Sequence, residues 1–304
     1  MKKGRITGLI AVAVVAGGGF LFAQLYVDRE ADRRIGHFLT KLPDGTKVKY
    51  RSAGYSLWNG KVRLRDVTVA SKMAGEARIK GLTVASFDKF HRVPHFVTIK
   101  VRGFEMRREK ALPKTQVWMD RLGYKTIVVD VDYVYRYRPD LRELTIERAR
   151  ISGPQVGTLE LRGRFGNVKS LDARTMGDVI AIGMQAVLRD VRLVYTDASL
   201  TKRLIRAFAA DAGESEAAAR ARLVKSIDME MRATKSANLR RQMQHVRAFI
   251  AKPGKIVVTV KPRATVPMFL IATFRNPNMF QRMFKITVTA LPGNGKAKVG
   301  KKKN

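Results

Sequence analysis

Histidine is the side chain that most often ligates metals or moves protons near neutral pH, and this sequence has four: His37, His91, His95 and His245. Only His91 and His95 lie close together, at a spacing of four that suits two ligands on one helical face. Pro94 stands between them and opposes a helix, and no third ligand is evident. Surface or structural histidines are therefore expected, and no metal. Asp130 and Asp132, two apart in a strand pattern, project to one face, where paired carboxylates can act as acid and base. With Arg136 and Arg138 beside them, an ion network is the expected role. No G-x-S-x-G elbow, P-loop, H-E-x-x-H or dinucleotide fingerprint occurs. The lack of cysteine removes disulfides, thiolate metal sites and cysteine nucleophiles together. These residues predict a non-enzymatic protein with no catalytic residue and no cofactor.

Charge is the remaining source of function. Sixty Lys and Arg against 25 Asp and Glu leave a formal net charge of +35, a surface that attracts phosphates, phospholipid headgroups or an anionic polymer. Two basic clusters are the candidate anionic-surface site: Lys296, Lys298, Lys301, Lys302 and Lys303 in the tail, and Arg102, Arg107, Arg108 and Lys110 in the body. Each cation held near an anionic membrane contributes about 1 kcal/mol. Their alternative role is a solvated, solubilising face.

The elements that must carry these residues fall into three stretches. Lys2, Lys3 and Arg5 precede Ile6 to Val27, which holds no charge and is long enough for a hydrocarbon core of about 30 Å. Leu21 and Ala23 make a poor cleavage site, so residues 1–27 are expected to be an uncleaved signal anchor, with the short basic start inside and the chain from about 28 onward outside. Residues 28–292 read as a basic, sheet-rich domain. Val48 and Tyr50, Val62 and Leu64, Leu82 and Val84, Val97 to Val101, and Val131 to Tyr137 alternate with polar residues. The apolar phase slips by one between Leu64 and Val67, which predicts a bulge near Asp66. Pro113 opens a short helix that Gly123 stops. Helices are expected over about 171–252, with a strand at Val191 to Tyr195, Asp197 or Ser199 as one cap and Ser215 as the next. Sheet strands return at Ile256 to Val260 and Ile286 to Ala290, so the sheet is expected to take strands from both ends of the chain around a helical insertion. Residues 293–304 read as a flexible lysine-rich tail.

The segments Leu122-Gly123-Tyr124, Val131 to Tyr137 with Arg138-Pro139-Asp140, Val156 to Leu161, and Leu193 to Leu200 resemble those of uncharacterised proteobacterial single-span envelope proteins of the broad AsmA-like and DUF945-like type. The anchor and the turn from Tyr55 to Gly60 extend the resemblance over about two-thirds of the chain. The resemblance implies an anchored, elongated periplasmic domain linked to envelope or lipid homeostasis, and no catalytic residue. The expectation as a whole is an α+β protein: an N-terminal transmembrane helix followed by an elongated, mainly antiparallel β-sheet domain with a helical insertion covering the sheet. It would sit in a bacterial inner membrane as a single-pass protein with its C-terminal domain periplasmic. Its partners would be the inner membrane and phospholipid or an anionic envelope polymer. The alternative function is a membrane-tethered nucleic-acid-binding protein, suggested by the charge of +35 and the lysine tail. The face of Tyr133, Tyr135 and Tyr137 favours neither reading, since it alternates with charge as a packed sheet face would and could also stack bases.

Overall fold

A computed structural model of the chain describes residues 47–56, 61–71, 75–88, 91, 94–171, 176–268, 270 and 282–291. Twelve described strands form one antiparallel sheet. The first five are β1 (Lys47–Lys49), β2 (Ser52–Ser56), β3 (Lys61–Ser71), β4 (Gly75–Phe87) and β5 (Phe96–Arg107). The next four are β6 (Thr126–Arg138), β7 (Glu143–Gly153), β8 (Gly157–Gly166) and β9 (Val187–Thr196). The last three are β10 (Lys255–Pro262), β11 (Val266–Pro267) and β12 (Phe284–Leu291). The order β1-β3-β4-β5-β6-β7-β8-β9-β10-β12 follows the chain, with β2 on β3 and β11 on β9. Strands β1 and β12 therefore lie at opposite ends of one sheet, which takes strands from both sides of the helical stretch as expected.

Alternation sorts the sheet into two faces. Leu64, Leu82, Val101, Val131, Ile151, Leu159, Tyr195, Ile256 and Ala290 are successive cross-strand partners, giving one apolar row across nine strands. The core lies on this face, with Val84, Ile99 and Tyr135 each only 1% exposed. Val168, Leu171 and Ala186, which follow β8 and precede β9, close over it. The hydroxyl of Tyr137 donates to the Val168 carbonyl at 2.9 Å, tying that cover to the sheet. The predicted slip at Asp66 is a left-handed residue with φ 50°. It is matched across the sheet: Leu64 and Val67 both face inward, as do Leu82 and Ile79 on β4 and Val101 and Phe104 on β5, where Gly103 has φ 59°. The phase change thus crosses three strands together and ends as a bulge against β6, so that pairing survives on either side of it.

The helices are α1 (Pro113–Arg121), α2 (Met176–Gln185), α3 (Leu200–Asp211), α4 (Glu216–Ala233) and α5 (Ala237–Ala251). Gly123, at φ 68°, follows α1. Of the two candidate caps before α3 it is Asp197 that acts, its Oδ1 accepting from the Thr201 amide at 2.8 Å. Ser215 accepts from Ala218 N and begins α4, and Ser236, which the sequence reading passed over, does the same for α5 through Leu239 N. Within 171–252 the strand expected at Val191 to Tyr195 is present as β9, a strand of the main sheet between β8 and β10. Helix α5 lies along the last strand. The Gln242 side chain donates to Ile286 O at 2.9 Å and accepts from Val288 N, satisfying backbone groups that β12 has no further strand to pair with.

The expected transmembrane architecture needs correction. No described helix is long and apolar enough to cross a membrane. The longest, α4, has 18 residues and carries Glu216, Arg220, Arg222, Lys225, Asp228, Glu230 and Arg232, charges that a hydrocarbon core does not tolerate. The structure is mostly antiparallel sheet with a minority of helix, and it supports neither a signal anchor nor a single-pass inner-membrane, periplasm-facing placement. Residues 1–27, which carried that expectation, and the tail 293–304 lie outside the described residues, as does most of the segment between Val266 and Phe284.

Candidate functional site

The face of the sheet opposite the core is built from guanidinium and carboxylate groups. Polar side chains alternate with buried apolar ones along β3, β5 and β6, so the core pattern itself forces them outward. Neighbouring strands bring opposite charges together. Arg102 pairs with Asp132 at 2.6 Å, Arg136 with Glu147 at 3.1 Å, Arg138 with Glu143 at 2.5 Å and Arg164 with Asp190 at 2.5 Å, while Arg162 holds Glu160 on its own strand at 2.8 Å. Asp130 and Asp132 do share this face, but Arg136 and Arg138 are not their partners. Asp130 accepts from the Gly103 amide at 2.7 Å and Asp132 from Arg102. Cross-strand neighbours stand about 5 Å apart, whereas same-face residues along one strand are about 7 Å apart, so pairing runs across the sheet. Both aspartates are engaged in hydrogen bonds within the sheet.

Of the predicted basic site, Lys296, Lys298, Lys301, Lys302 and Lys303 lie outside the described residues. Arg102 and Arg107 are on β5, and Arg108 and Lys110 form the 3-10 turn that follows it. The fold gives each of these four a carboxylate: Asp132, Glu105, Asp120 and Glu76 respectively. The Arg107 guanidinium, hydrogen-bonded to Glu105, holds that carboxyl below its usual range and is itself raised. The Arg108 fork on Asp120 does the same, and the Arg138 hydrogen bond lowers the Glu143 carboxyl. This cluster is therefore charge-compensated.

The surplus lies elsewhere on the same face. Arg63 and Arg65 on β3, Lys100 on β5, Arg148 and Arg150 on β7, and Arg192 on β9 point outward and have no carboxylate within ion-pair distance among the described residues. They fall on alternate strands across six strand spacings, a width of roughly 29 Å at about 4.8 Å per strand. Arg150 is flanked by Asp132 and Glu160, both already taken by other arginines, and its Nε is buried with no hydrogen-bond partner. Sequence reading missed these residues because it weighed clusters contiguous in the chain. Their signal was present in Arg63 and Arg65 alternating with Val62 and Leu64, but which cations the acids would neutralise depends on cross-strand register.

Tyr133, Tyr135 and Tyr137 point the other way, into the core, at 8%, 1% and 5% exposure. Burial pushes the Tyr133 and Tyr135 hydroxyls well above their usual range. They cannot stack bases from outside. Away from the sheet face, an open groove of about 530 Å³ is lined by Glu216, Ala217, Arg220, Ala221, Val224 and Ala251.

Residues 150–291 match the model of a family described as "Uncharacterized protein". The match runs from within β7 to the end of β12 and includes α2 to α5. No curated protein matches the chain. The comparison is therefore with an uncharacterised family, and no AsmA-like or DUF945-like link is shown.

Proposed function

We propose that this protein is a non-enzymatic binding protein that engages phospholipid headgroups through the outward face of its sheet. The supporting observation is the excess of outward cations: the carboxylates of that face are consumed by ion pairs across and along the strands, leaving Arg63, Arg65, Lys100, Arg148, Arg150 and Arg192 without a counterion among the described residues. An array spread over seven strands fits an extended anionic surface better than a small anion, which needs donors converging on one point. The paired arginines add to it, since an exposed ion pair is worth only about 0–1 kcal/mol and can be traded for a phosphate contact. An AsmA-like or DUF945-like kinship, carried by the strand-and-turn segments quoted above, belongs with this reading. The nucleic-acid alternative rests on the same excess of charge and on the lysine tail, and the burial of Tyr133, Tyr135 and Tyr137 removes base stacking as support for it.

The test is co-sedimentation of the full chain with vesicles of phosphatidylcholine alone and with phosphatidylglycerol added. Binding to the anionic vesicles only, falling as salt rises, is expected. In the variant Arg63→Ser/Arg65→Ser/Lys100→Ser, the loss of three cations at about 1 kcal/mol each weakens that binding on the order of a hundredfold. Because these side chains are exposed and have no ion-pair partner among the described residues, the thermal midpoint should not move. Equal binding to both vesicles, tighter binding to duplex DNA than to the vesicles, or an undiminished variant would overturn the proposal.

A further inference from the structure

We propose that Asp88, His91 and His95, in the connection from β4 to β5, form a binding site for a divalent transition-metal ion, Zn²⁺ by its ligand chemistry. The histidine pair that lacked a third ligand in the sequence acquires one in the fold. Asp88 directly follows β4 and is only 5% exposed. Its Oδ2 lies 2.5 Å from His91 Nδ1 and 3.8 Å from His95 Nδ1, and one donor atom from each of the three residues falls within 4.8 Å of the others. The two imidazoles are stacked face to face, with centroids 3.7 Å apart and planes at 24°. The Nδ1 atoms of both rings thus lie within 4 Å of one buried carboxylate oxygen.

Metal–ligand bonds of about 2.0–2.2 Å in a tetrahedron put donors about 3.4 Å apart. The His91–Asp88 distance would open by about 1 Å and the His95–Asp88 distance would close by about half that, movements within side-chain torsions. Two imidazoles and a carboxylate are the donor set of borderline first-row ions, not of Ca²⁺ or Mg²⁺, which prefer oxygen. The His91 side chain is 53% exposed, which leaves one side of the site open to a water ligand.

The sheet holds the donors in place from behind. Asp88 N donates to Phe96 O at 3.1 Å, closing the connection, and His95 N donates to Asp88 Oδ2 at 3.1 Å. The Tyr135 hydroxyl donates to Pro94 O at 2.8 Å, Tyr137 N donates to His95 O at 2.5 Å, and the Tyr137 ring lies edge-on to the His95 ring at 5.4 Å. These contacts fix the backbone on either side of His95, the kind of outer support that keeps ligands pre-oriented. Pro94, which opposed a helix in the sequence, sits buried at this anchor and directs the two histidines from a loop instead. The bound ion would clasp the two ends of the β4–β5 connection to each other, beside the hydrogen bonds that tie it to β6.

The experiment is calorimetric titration of the chelator-stripped full chain with ZnCl₂, with MgCl₂ as control, together with thermal melts and the visible spectrum of the Co²⁺ form. One Zn²⁺ per chain, a raised thermal midpoint, no Mg²⁺ binding and a tetrahedral Co²⁺ spectrum are expected. His91→Ala, at an exposed position, should weaken this site by more than about a hundredfold, beyond the 10–100-fold that outer-sphere changes cost. Asp88→Asn should do the same, and Tyr135→Phe should weaken it about tenfold. No stoichiometric binding by the parent chain would overturn the site, and so would full-strength binding in a folded His91→Ala variant, which would place the ion elsewhere.

Discussion

The three tyrosines of β6 show how much meaning one residue type takes from its position. All three face inward, yet their hydroxyls differ. Tyr135 reaches Pro94 O at 2.8 Å and Tyr137 reaches Val168 O at 2.9 Å, whereas Tyr133 finds no acceptor among the described residues. Tyr135→Phe should therefore cost about 1 kcal/mol and leave a buried carbonyl unpaired, while Tyr133→Phe should stay within about 0.5 kcal/mol of the parent. Urea unfolding of the two variants checks this, and equal losses would mean that the Pro94 bond contributes nothing. The alternation that put these rings on one face was legible in the sequence. Whether that face was core or surface was not, because period 2 fixes which residues share a side and says nothing of what covers it.

At the scale of elements, the sheet meets its ends differently. At one end it stops in β1 and β2, of three and five residues, short enough to limit pairing with another chain. At the other, β12 has eight residues and is covered by α5, whose Gln242 amide stands in for a neighbouring strand. Replacing Gln242 with Leu keeps the bulk but removes both bonds. A loss of about 1–2 kcal/mol is expected, with concentration-dependent self-association through the freed edge. Unfolding midpoints and light scattering after size exclusion measure the two effects, and a monomer of unchanged stability would show that packing alone protects the strand. The amphipathic pattern of α5, around Leu239, Met243, Val246 and Ile250, gave the helix. It could not reveal that Gln242, a polar position in that pattern, serves the strand rather than solvent.

The whole molecule balances a large positive charge against a small number of carboxylates. Glu105, Glu143 and Asp120 have folded-state pKa values lowered by the arginines that hydrogen-bond them. Each contributes stability that is present above its unfolded value, 4.5 for Glu and 3.8 for Asp, and is lost as pH falls through its folded value. The thermal midpoint should accordingly fall as pH drops below about 5. Over the same range the cations left behind lose their counterions, so protein that remains folded should bind phosphatidylglycerol vesicles more tightly. Melts and vesicle sedimentation across one pH series test the two trends together, and a flat melting profile would argue that these three ion pairs are energetically idle.

Composition and alternation by themselves determined that this chain is strongly cationic, rich in antiparallel strand patterns and marked by a phase slip near Asp66, since each of these is a local property of residue type and spacing. Tertiary structure decided which cations keep their charge, which residue completes the histidine pair and which helix closes the sheet. Those outcomes depend on strand register and on loops returning to the sheet, which set distances between residues far apart in the chain that no local period encodes.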